Sequence, residues 1–340
     1  MEQLSEDHMI NHPWLIGGFA IAVIIMLLLD LGVFNKKSHT ISNKEALSWT
    51  VVWIALSMVF SAVVYFVLDK PQGITDNFSK YQAAYWIEKA LSVDNLFVFI
   101  LVFKFFKIPK DYQHKVLFWG ILGALFFRAI FIFAGVELIK LTYVTLPFLG
   151  IDPETGDPRQ LNIILFLFGI FLIIAGIKSG LPAKEDEEED MSKNIGVRLV
   201  HKFFKVSPDF DGDNFFTIQN GIKMVTPLFV ALAVIEITDL VFAVDSIPAI
   251  FAIAPDDPFI LYTSNIFAIL GLRSMYFLLA NSMDMFSKLH YGLAIILIFI
   301  GTKMIIMPYY HFESTVSLAI IGGVLAISVI ASLIFKPKHN

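Results

Sequence analysis

The segment YWIEKALSVDNLFVFI, residues 85–100, places charged side chains inside a stretch that is otherwise apolar enough to cross a lipid bilayer. A second segment, EITDLVFAVDSIPAI at residues 236–250, repeats the pattern. In each segment an acid is followed six residues later by an aspartate in the context Val-Asp-(Asn/Ser). A charge at the bilayer centre costs roughly 2.5–3.5 kcal/mol to insert. Each of these carboxylates therefore needs a compensating partner.

The composition is that of a polytopic membrane protein. Of 340 residues, 57% are hydrophobic and 16% are charged, and the mean hydropathy is +0.72. Soluble proteins are nearer half apolar and one quarter charged. Cysteine is absent, which excludes disulfides and thiolate sites for soft metals. The acidic N-terminal residues lack the basic start of a signal peptide, so the first apolar run is expected to be a retained helix.

Apolar runs of about twenty residues predict nine spanning helices and an all-α, polytopic membrane fold. The helices are expected at residues 14–34, 48–68, 81–103, 116–139, 161–179, 225–252, 259–280, 290–308 and 315–335. One connection is long, and it begins with the acidic run EDEEED at residues 185–190. This run is expected to be a solvated tract, and the sequence leaves its role open.

The placement of lysine and arginine predicts the orientation of the helices. With the N-terminus outside, the cytoplasmic segments hold 16 of these residues and the external segments hold four. The opposite orientation would reverse that ratio. The N-terminus is therefore expected outside and the C-terminus in the cytoplasm.

Predicted helices three to five and six to eight look like one unit used twice in inverted topology, a device common in secondary transporters. GILGALFFRAIF, which contains Arg128, resembles NIFAILGLRSMYF, which contains Arg273. IIAGIK, ending at Lys178, resembles IFIGTK, ending at Lys303. The expected parts are residues 1–80 with the first two helices, 81–179 with the first repeat, 180–223 with the cytoplasmic acidic loop, 224–308 with the second repeat, and 309–340 with the last helix and tail.

The candidate ion site takes its ligands from both motifs. Its predicted members are Glu88, Asp94, Asn95, Glu236, Asp239, Asp245 and Ser246. Residues six apart on a regular helix point about 240° apart, so convergence of the paired acids requires a broken helix. Pro248 makes helix six the expected place for that break. An all-oxygen set without His or Cys suits Mn²⁺, Mg²⁺ or Ca²⁺ better than Cu⁺ or Zn²⁺.

Arg128 and Arg273 support a competing interpretation of the acids. Two arginines could neutralise two of the four motif carboxylates as structural ion pairs, which leaves the other two unmatched. Both arginines are therefore expected to be tuning or structural residues. The segment DFDGDN, residues 209–214, is expected to be a turn because it lacks the distal glutamate of a calcium loop.

The strings IEKALSVDNLFVF, DLVFAVDSIPAI and SNIFAILGLRSMYFLLA resemble the TerC/Alx family of bacterial integral membrane proteins. The similarity extends from LLLDLGVF through GTKM, nearly the whole chain. The resemblance implies an inner-membrane protein of inverted three-helix repeats, associated with manganese export and with tellurite and alkaline-pH responses. The family's acids correspond here to Glu88, Asp94, Asp239 and Asp245.

The expected function is export of Mn²⁺ from the cytoplasm through a carboxylate-lined midplane site, with H⁺ as the expected exchanged ion. Expected partners are Mn²⁺, H⁺, the lipid bilayer and a membrane or stress-response protein, with no nucleic acid and no permanently bound cofactor. One alternative is a non-transporting scaffold of a stress-response complex that docks through residues 180–223. Another is a Ca²⁺ or Mg²⁺ transporter. An enzyme is not expected, because no nucleophile–base pair is evident.

Overall fold

The chain is described here by a computed structural model. The structure describes residues 13–34, 42–146, 149–151, 158–180, 195–219, 221–255, 257–281, 289–310 and 312–334. Within these ranges the side chains at positions 29–34, 94, 97, 195, 244, 245, 281 and 289 lie outside the description. The acidic run at 185–190 also lies outside the described residues.

The predicted all-α class is confirmed. The helices are α1 Pro13–Phe34, α2 Asn43–Val64, α3 Asp76–Phe105, α4 Lys110–Lys140, α5 Ile163–Gly180, α6 Ile195–Phe203, α7 Pro227–Phe251, α8 Pro258–Leu270, α9 Leu272–Asn281, α10 Leu289–Ile306 and α11 Ser314–Ile334. Two short antiparallel hairpins join them, β1 Tyr143–Thr145 with β2 Gln160–Asn162, and β3 Phe216–Gln219 with β4 Ile222–Val225.

Five described helical segments are long and apolar enough to cross a membrane, and the bent pair α8–α9 makes a sixth. The five are Asn43–Gln72, Lys110–Lys140, Ile163–Gly180, Pro227–Phe251 and Ser314–Ile334. Helix α3 has 30 residues, about 45 Å at 1.5 Å per residue, and carries the charges of the first acid motif. The count of nine spanning helices stays a prediction.

The helices of the two predicted repeats pack across one another. Helix α3 packs against α7 and α8, and α4 packs against the same two helices. Helix α5 packs along α10. All four motif acids therefore lie on helices at the centre of one bundle, α3 and α7. If α3, α4 and α5 are exchanged with α7, α8 and α10, the same pairs of helices remain in contact. The inverted repeat itself stays a prediction.

Glycines allow α5 and α10 to approach closely. A Cβ added to Gly301 would lie 2.5 Å from the carbonyl oxygen of Gly169, and one added to Gly176 would lie 2.7 Å from that of Ala294. Real side chains cannot occupy such positions. Small residues at helix contacts are typical of membrane bundles, where van der Waals packing stabilises the association of helices.

The predicted break at Pro248 is wrong. Helix α7 runs without interruption to Phe251, so only three residues follow the proline and the missing N–H falls in the last turn. The break lies in the next span instead, where α8 and α9 meet at Gly271 with a bend of 41°. Because α7 is continuous, its backbone does not bring Asp239 and Asp245 together as expected.

The connection before α7 is more ordered than the sequence indicated. Residues from Ile195 onward form α6 and the β3–β4 hairpin, and α6 packs against α7. The DFDGDN segment forms the predicted turn, in which Asn214 N donates to Asp211 O at 3.0 Å and Gly212 has a positive φ of 55°. Lys115 Nζ on α4 lies 3.1 Å from an Asp213 carboxylate oxygen, which joins this segment to the bundle.

We expect Gly301→Leu to destabilise the protein by about 1–3 kcal/mol, the usual cost of overpacking a tight contact. The matched control is Gly322→Leu on α11, where an added Cβ has no neighbour within 4 Å. Thermal unfolding of the purified protein in detergent compares the two. Equal melting temperatures for both variants would contradict the close α5–α10 contact.

Candidate ion site

Arg128 lies at the centre of the bundle and binds one acid from each motif. Its guanidinium donates from Nη1 to Glu88 Oε1 on α3 and from Nη2 to Asp239 Oδ1 on α7, the latter at 3.2 Å. The side chains of Arg128 and Glu88 are 1% and 0% exposed, and that of Asp239 is 9% exposed. One cation from α4 therefore bridges two buried carboxylates.

Two polar side chains complete the surroundings of Arg128. Ser92, one helical turn after Glu88, donates its hydroxyl to Glu88 Oε1 at 3.0 Å. Asn265 on α8 accepts from Arg128 Nη1 with its Oδ1 at 3.5 Å. The cluster thus draws on all four central helices. It carries two negative charges against one positive charge when its groups are ionised.

Several buried polar atoms around this cluster have no hydrogen-bond partner among the described residues. They are Glu88 Oε2, Arg128 Nε, Glu236 Oε2, Ser246 Oγ and Asn265 Nδ2. Buried polar atoms are normally paired, and unpaired ones in a membrane interior are costly. Three of the five are oxygens. Oxygen atoms of this type are the ligands that hard divalent cations prefer.

Glu236 and Ser246 lie on either side of Asp239 along α7. Glu236, one turn earlier, lies against α4, where a Cβ on Gly123 would overlap its carboxylate. Ser246 is buried and follows Asp239 by two turns, on the same face of the helix. Asn95 bears the same relation to Glu88 on α3 and is also buried. The predicted polar residue of each motif therefore lines the face that carries the first acid.

The remaining predicted acids, Asp94 and Asp245, lie on continuous helical backbone, but their side chains are outside the described part of the chain. Among the described side chains, no group of three or more His, Cys, Asp or Glu residues lies close enough together to hold a metal ion. The guanidinium of Arg128 lies between Glu88 and Asp239. The two acids are brought together around a cation that belongs to the protein.

A small cavity separates the cluster from the end of the bundle where α4 begins. Its volume is about 20 Å³, enough for one water molecule. Asp239 and Arg273 are its charged lining residues, and side chains such as Leu96 and Phe99 make up apolar walls. Arg273 donates from Nη2 to His114 Nδ1 at 3.1 Å. Arg273 thus lies between the cavity and the first turns of α4.

A larger cavity of about 500 Å³ opens at the opposite end of the bundle. It lies among the start of α3, the β1–β2 hairpin, the α7–α8 connection and the α10–α11 connection. Its charged lining residues are Asp76, Lys80, Arg159, Lys303 and Glu313. The buried cluster therefore has a cavity of about 20 Å³ on one side and one of about 500 Å³ on the other.

Three residues in or next to the central cluster were not predicted from the sequence: Ser92, Asn265 and Lys89. Asn265 begins the string NIFAILGLRSMYF, but its role depends on how α8 packs. Lys89 follows Glu88 directly, and it is 4% exposed with Nζ bonded to Ala268 O at 3.1 Å. The available signal was a lysine in the middle of a spanning helix, since such charges are rare and face the protein interior.

The comparisons with known proteins agree with this architecture. The model of the TerC integral membrane protein family matches residues 73–340. The chain belongs to the TerC family. It is 44% identical over 330 residues to the uncharacterized membrane protein STKORF319 of Myxococcus xanthus, covering 97% of this chain and 95% of that one.

Further TerC-like relatives carry the provisional name membrane-bound redox modulator Alx. The Salmonella typhi protein is 41% identical over 94% of both chains. The protein of Escherichia coli strain K12 is 40% identical over 97% of this chain and 98% of its own length. No solved structure matches the chain. The protein is therefore an integral, multi-pass membrane protein of the TerC family.

We expect Arg128→Met to destabilise the protein by about 3–5 kcal/mol, because it leaves two buried carboxylates without their cation. The triple variant Glu88→Gln, Arg128→Met, Asp239→Asn removes all three charges together and is expected to recover most of that loss. Thermal unfolding in detergent measures both. A triple variant as unstable as the single one would show that the unpaired carboxylates are not the cause of the loss.

Proposed function

We propose that this TerC protein exports a divalent cation, Mn²⁺ above all, from the cytoplasm through a site formed by α3, α4, α7 and α8. Protons are the proposed counter-transported ion. The proposal is supported by the charge of the membrane-spanning region, by the oxygen atoms left unpaired around Arg128, and by the cavities on either side.

The charge balance of the interior is the observation that carries the proposal. If the outer six residues are set aside at each end of every described helix of 18 residues or more, with α8 and α9 taken as one, eight charged residues remain. They are Glu88, Asp94, Glu236, Asp239, Asp245, Lys89, Arg128 and Arg273. Five are acids and three are bases, which leaves a net charge of −2. One divalent cation neutralises that charge, and two protons would do the same.

The geometry of Arg128 suggests how an ion would enter the site. A cation that approached Glu88 and Asp239 would compete with the guanidinium for both carboxylates. Displacement of Arg128 would release carboxylate oxygens of Glu88 and Asp239, and Glu236 Oε2, one turn before Asp239 on α7, offers a further unpaired oxygen. In the absence of metal the same guanidinium keeps the two buried acids paired. The ion and the arginine would thus occupy the carboxylates in turn.

The two cavities fit an export path in the proposed orientation. The 20 Å³ cavity beside Arg273 would face the cytoplasm, and the 500 Å³ cavity would face outward. An ion would then pass from the level of Asp239 toward the open vestibule. The bacterial inner membrane is the proposed location, with the N-terminus outside.

Two other functions, a redox role and a scaffold role, would not depend on the central acids. The relatives named as redox modulators suggest a redox role, but the chain has no cysteine and so no thiol chemistry of its own. A scaffold would use the segment from α6 to β4, where Phe203, Phe216 and Ile218 are exposed. In that case deletion of this segment would remove function, whereas charge-neutral variants of the acids would keep it.

We expect purified protein in liposomes to transport Mn²⁺, and Asp94→Asn or Asp245→Asn to abolish the flux without preventing membrane insertion. Glu88→Gln and Asp239→Asn are expected to lower it at least tenfold, because each removes a carboxylate that the ion must bind. Parallel assays with Ca²⁺ and Mg²⁺ test the choice of ion.

The matched control for these variants is Glu137→Gln. Glu137 is an exposed acid near the end of α4 whose carboxylate pairs with Lys140 at 2.9 Å. The Glu137→Gln variant loses one negative charge outside the central cluster, and we expect it to keep normal Mn²⁺ flux. Normal flux in both Asp94→Asn and Asp245→Asn would overturn the proposed site.

The absence of native cysteine allows a direct test of orientation. Lys70→Cys and Lys205→Cys each place one thiol at an exposed position, after α2 and after α6. A membrane-impermeant maleimide added to intact cells or spheroplasts is expected to label only the first, and both after permeabilisation. The reverse pattern would show the opposite orientation.

A further inference from the structure

The ammonium group of Lys89 is buried at the point where the broken span bends. Lys89 is 4% exposed, and its Nζ donates to the carbonyl oxygen of Ala268 at 3.1 Å. A Cβ on Gly271 would lie 2.7 Å from that Nζ and 3.2 Å from Trp53 Cβ. Glycine at position 271 therefore leaves the space into which the ammonium group fits.

The break leaves the backbone carbonyl of Ala268 without its helical partner. In a continuous helix, Ala268 O would accept from the N–H four residues later, but here it accepts from Lys89. Such carbonyls carry the partial negative charge of a helix C-terminus. Broken helices in membrane proteins commonly offer them to cations.

We propose that the end of α8 is a binding site for a small monovalent cation of the ammonium class, and that Lys89 is its built-in occupant. The side chain acts as a positioning residue, because it fastens α3 to the α8–α9 break. Glu88 precedes Lys89 on α3, and Asn265 lies one turn before Ala268 on α8. The same fastening therefore sets both of these Arg128 partners in place.

This site is separate from the proposed path of the divalent cation. Its acceptor is a backbone carbonyl and not a carboxylate, and it is filled by a group of the protein. The inference therefore goes beyond the proposed function and stands whether or not the protein transports metal. Its test is a binding and stability measurement that needs no transport.

The test is chemical rescue of Lys89→Ala by n-propylammonium chloride, which replaces the atoms that the substitution removes. In detergent, Lys89→Ala is expected to melt several degrees below the wild type. Millimolar n-propylammonium is expected to raise the melting temperature of this variant toward the wild-type value and to leave the wild type unchanged. Sodium chloride at equal concentration controls for ionic strength.

Lys303→Ala is the matched control, because Lys303, on α10, is also a buried lysine but donates to a hydroxyl, Ser317 Oγ, at 3.0 Å. Equal rescue of both variants would show a general effect of the salt and would overturn the proposal, as would the absence of rescue in Lys89→Ala. A wild-type melting temperature for that variant would also overturn it.

Lys89→Gln tests the charge directly and does not depend on the folding of Lys89→Ala. Glutamine keeps an N–H donor, one bond nearer the backbone than the lysine Nζ, but carries no positive charge. If a cation is what the helix end binds, this variant loses melting temperature as well. Wild-type stability in Lys89→Gln would show that a hydrogen bond is sufficient and that the site is not a cation site.

Discussion

The two ion pairs of one guanidinium, that of Arg128, are the interaction on which the arrangement of the central helices depends. Glu88 and Asp239 come from separate helices, and a buried carboxylate is costly to keep ionised without a partner. Arg128 reaches both from α4, and Asn265 adds a contact from α8. The pairing fixes four helices around one point. It also makes that point sensitive to any other cation that can bind the same carboxylates.

The rest of the bundle supports this centre from two sides. Glycines bring α5 and α10 into backbone contact, which gives a rigid pair beside the central helices. On the other side, the bend at Gly271 lets the α8–α9 span turn around Lys89. The interior therefore holds charged groups in two adjacent places. One is the Arg128 guanidinium between two carboxylates, and the other is the Lys89 ammonium at the end of α8.

The class of the fold and most helix positions could be predicted, because long apolar runs leave few alternatives to membrane-spanning helices. The acids could be named for the same reason, since charges in such runs stand out. The partner of Glu88 and Asp239 could be proposed but not assigned, because an arginine forty residues away meets them only through packing. The break was misplaced at Pro248, whose effect is small at a helix end. It lies at Gly271, whose role depends on the approach of Lys89 from another helix.

Titration of the purified protein with Mn²⁺, followed by electron paramagnetic resonance, tests the central claim most directly. If a divalent cation competes with Arg128 for Glu88 and Asp239, the wild type binds about one Mn²⁺ per chain. The double variant Glu88→Gln, Asp239→Asn keeps the arginine, loses both carboxylates and binds none at the same concentration. Stoichiometric binding by the double variant, or none by the wild type, would contradict the account.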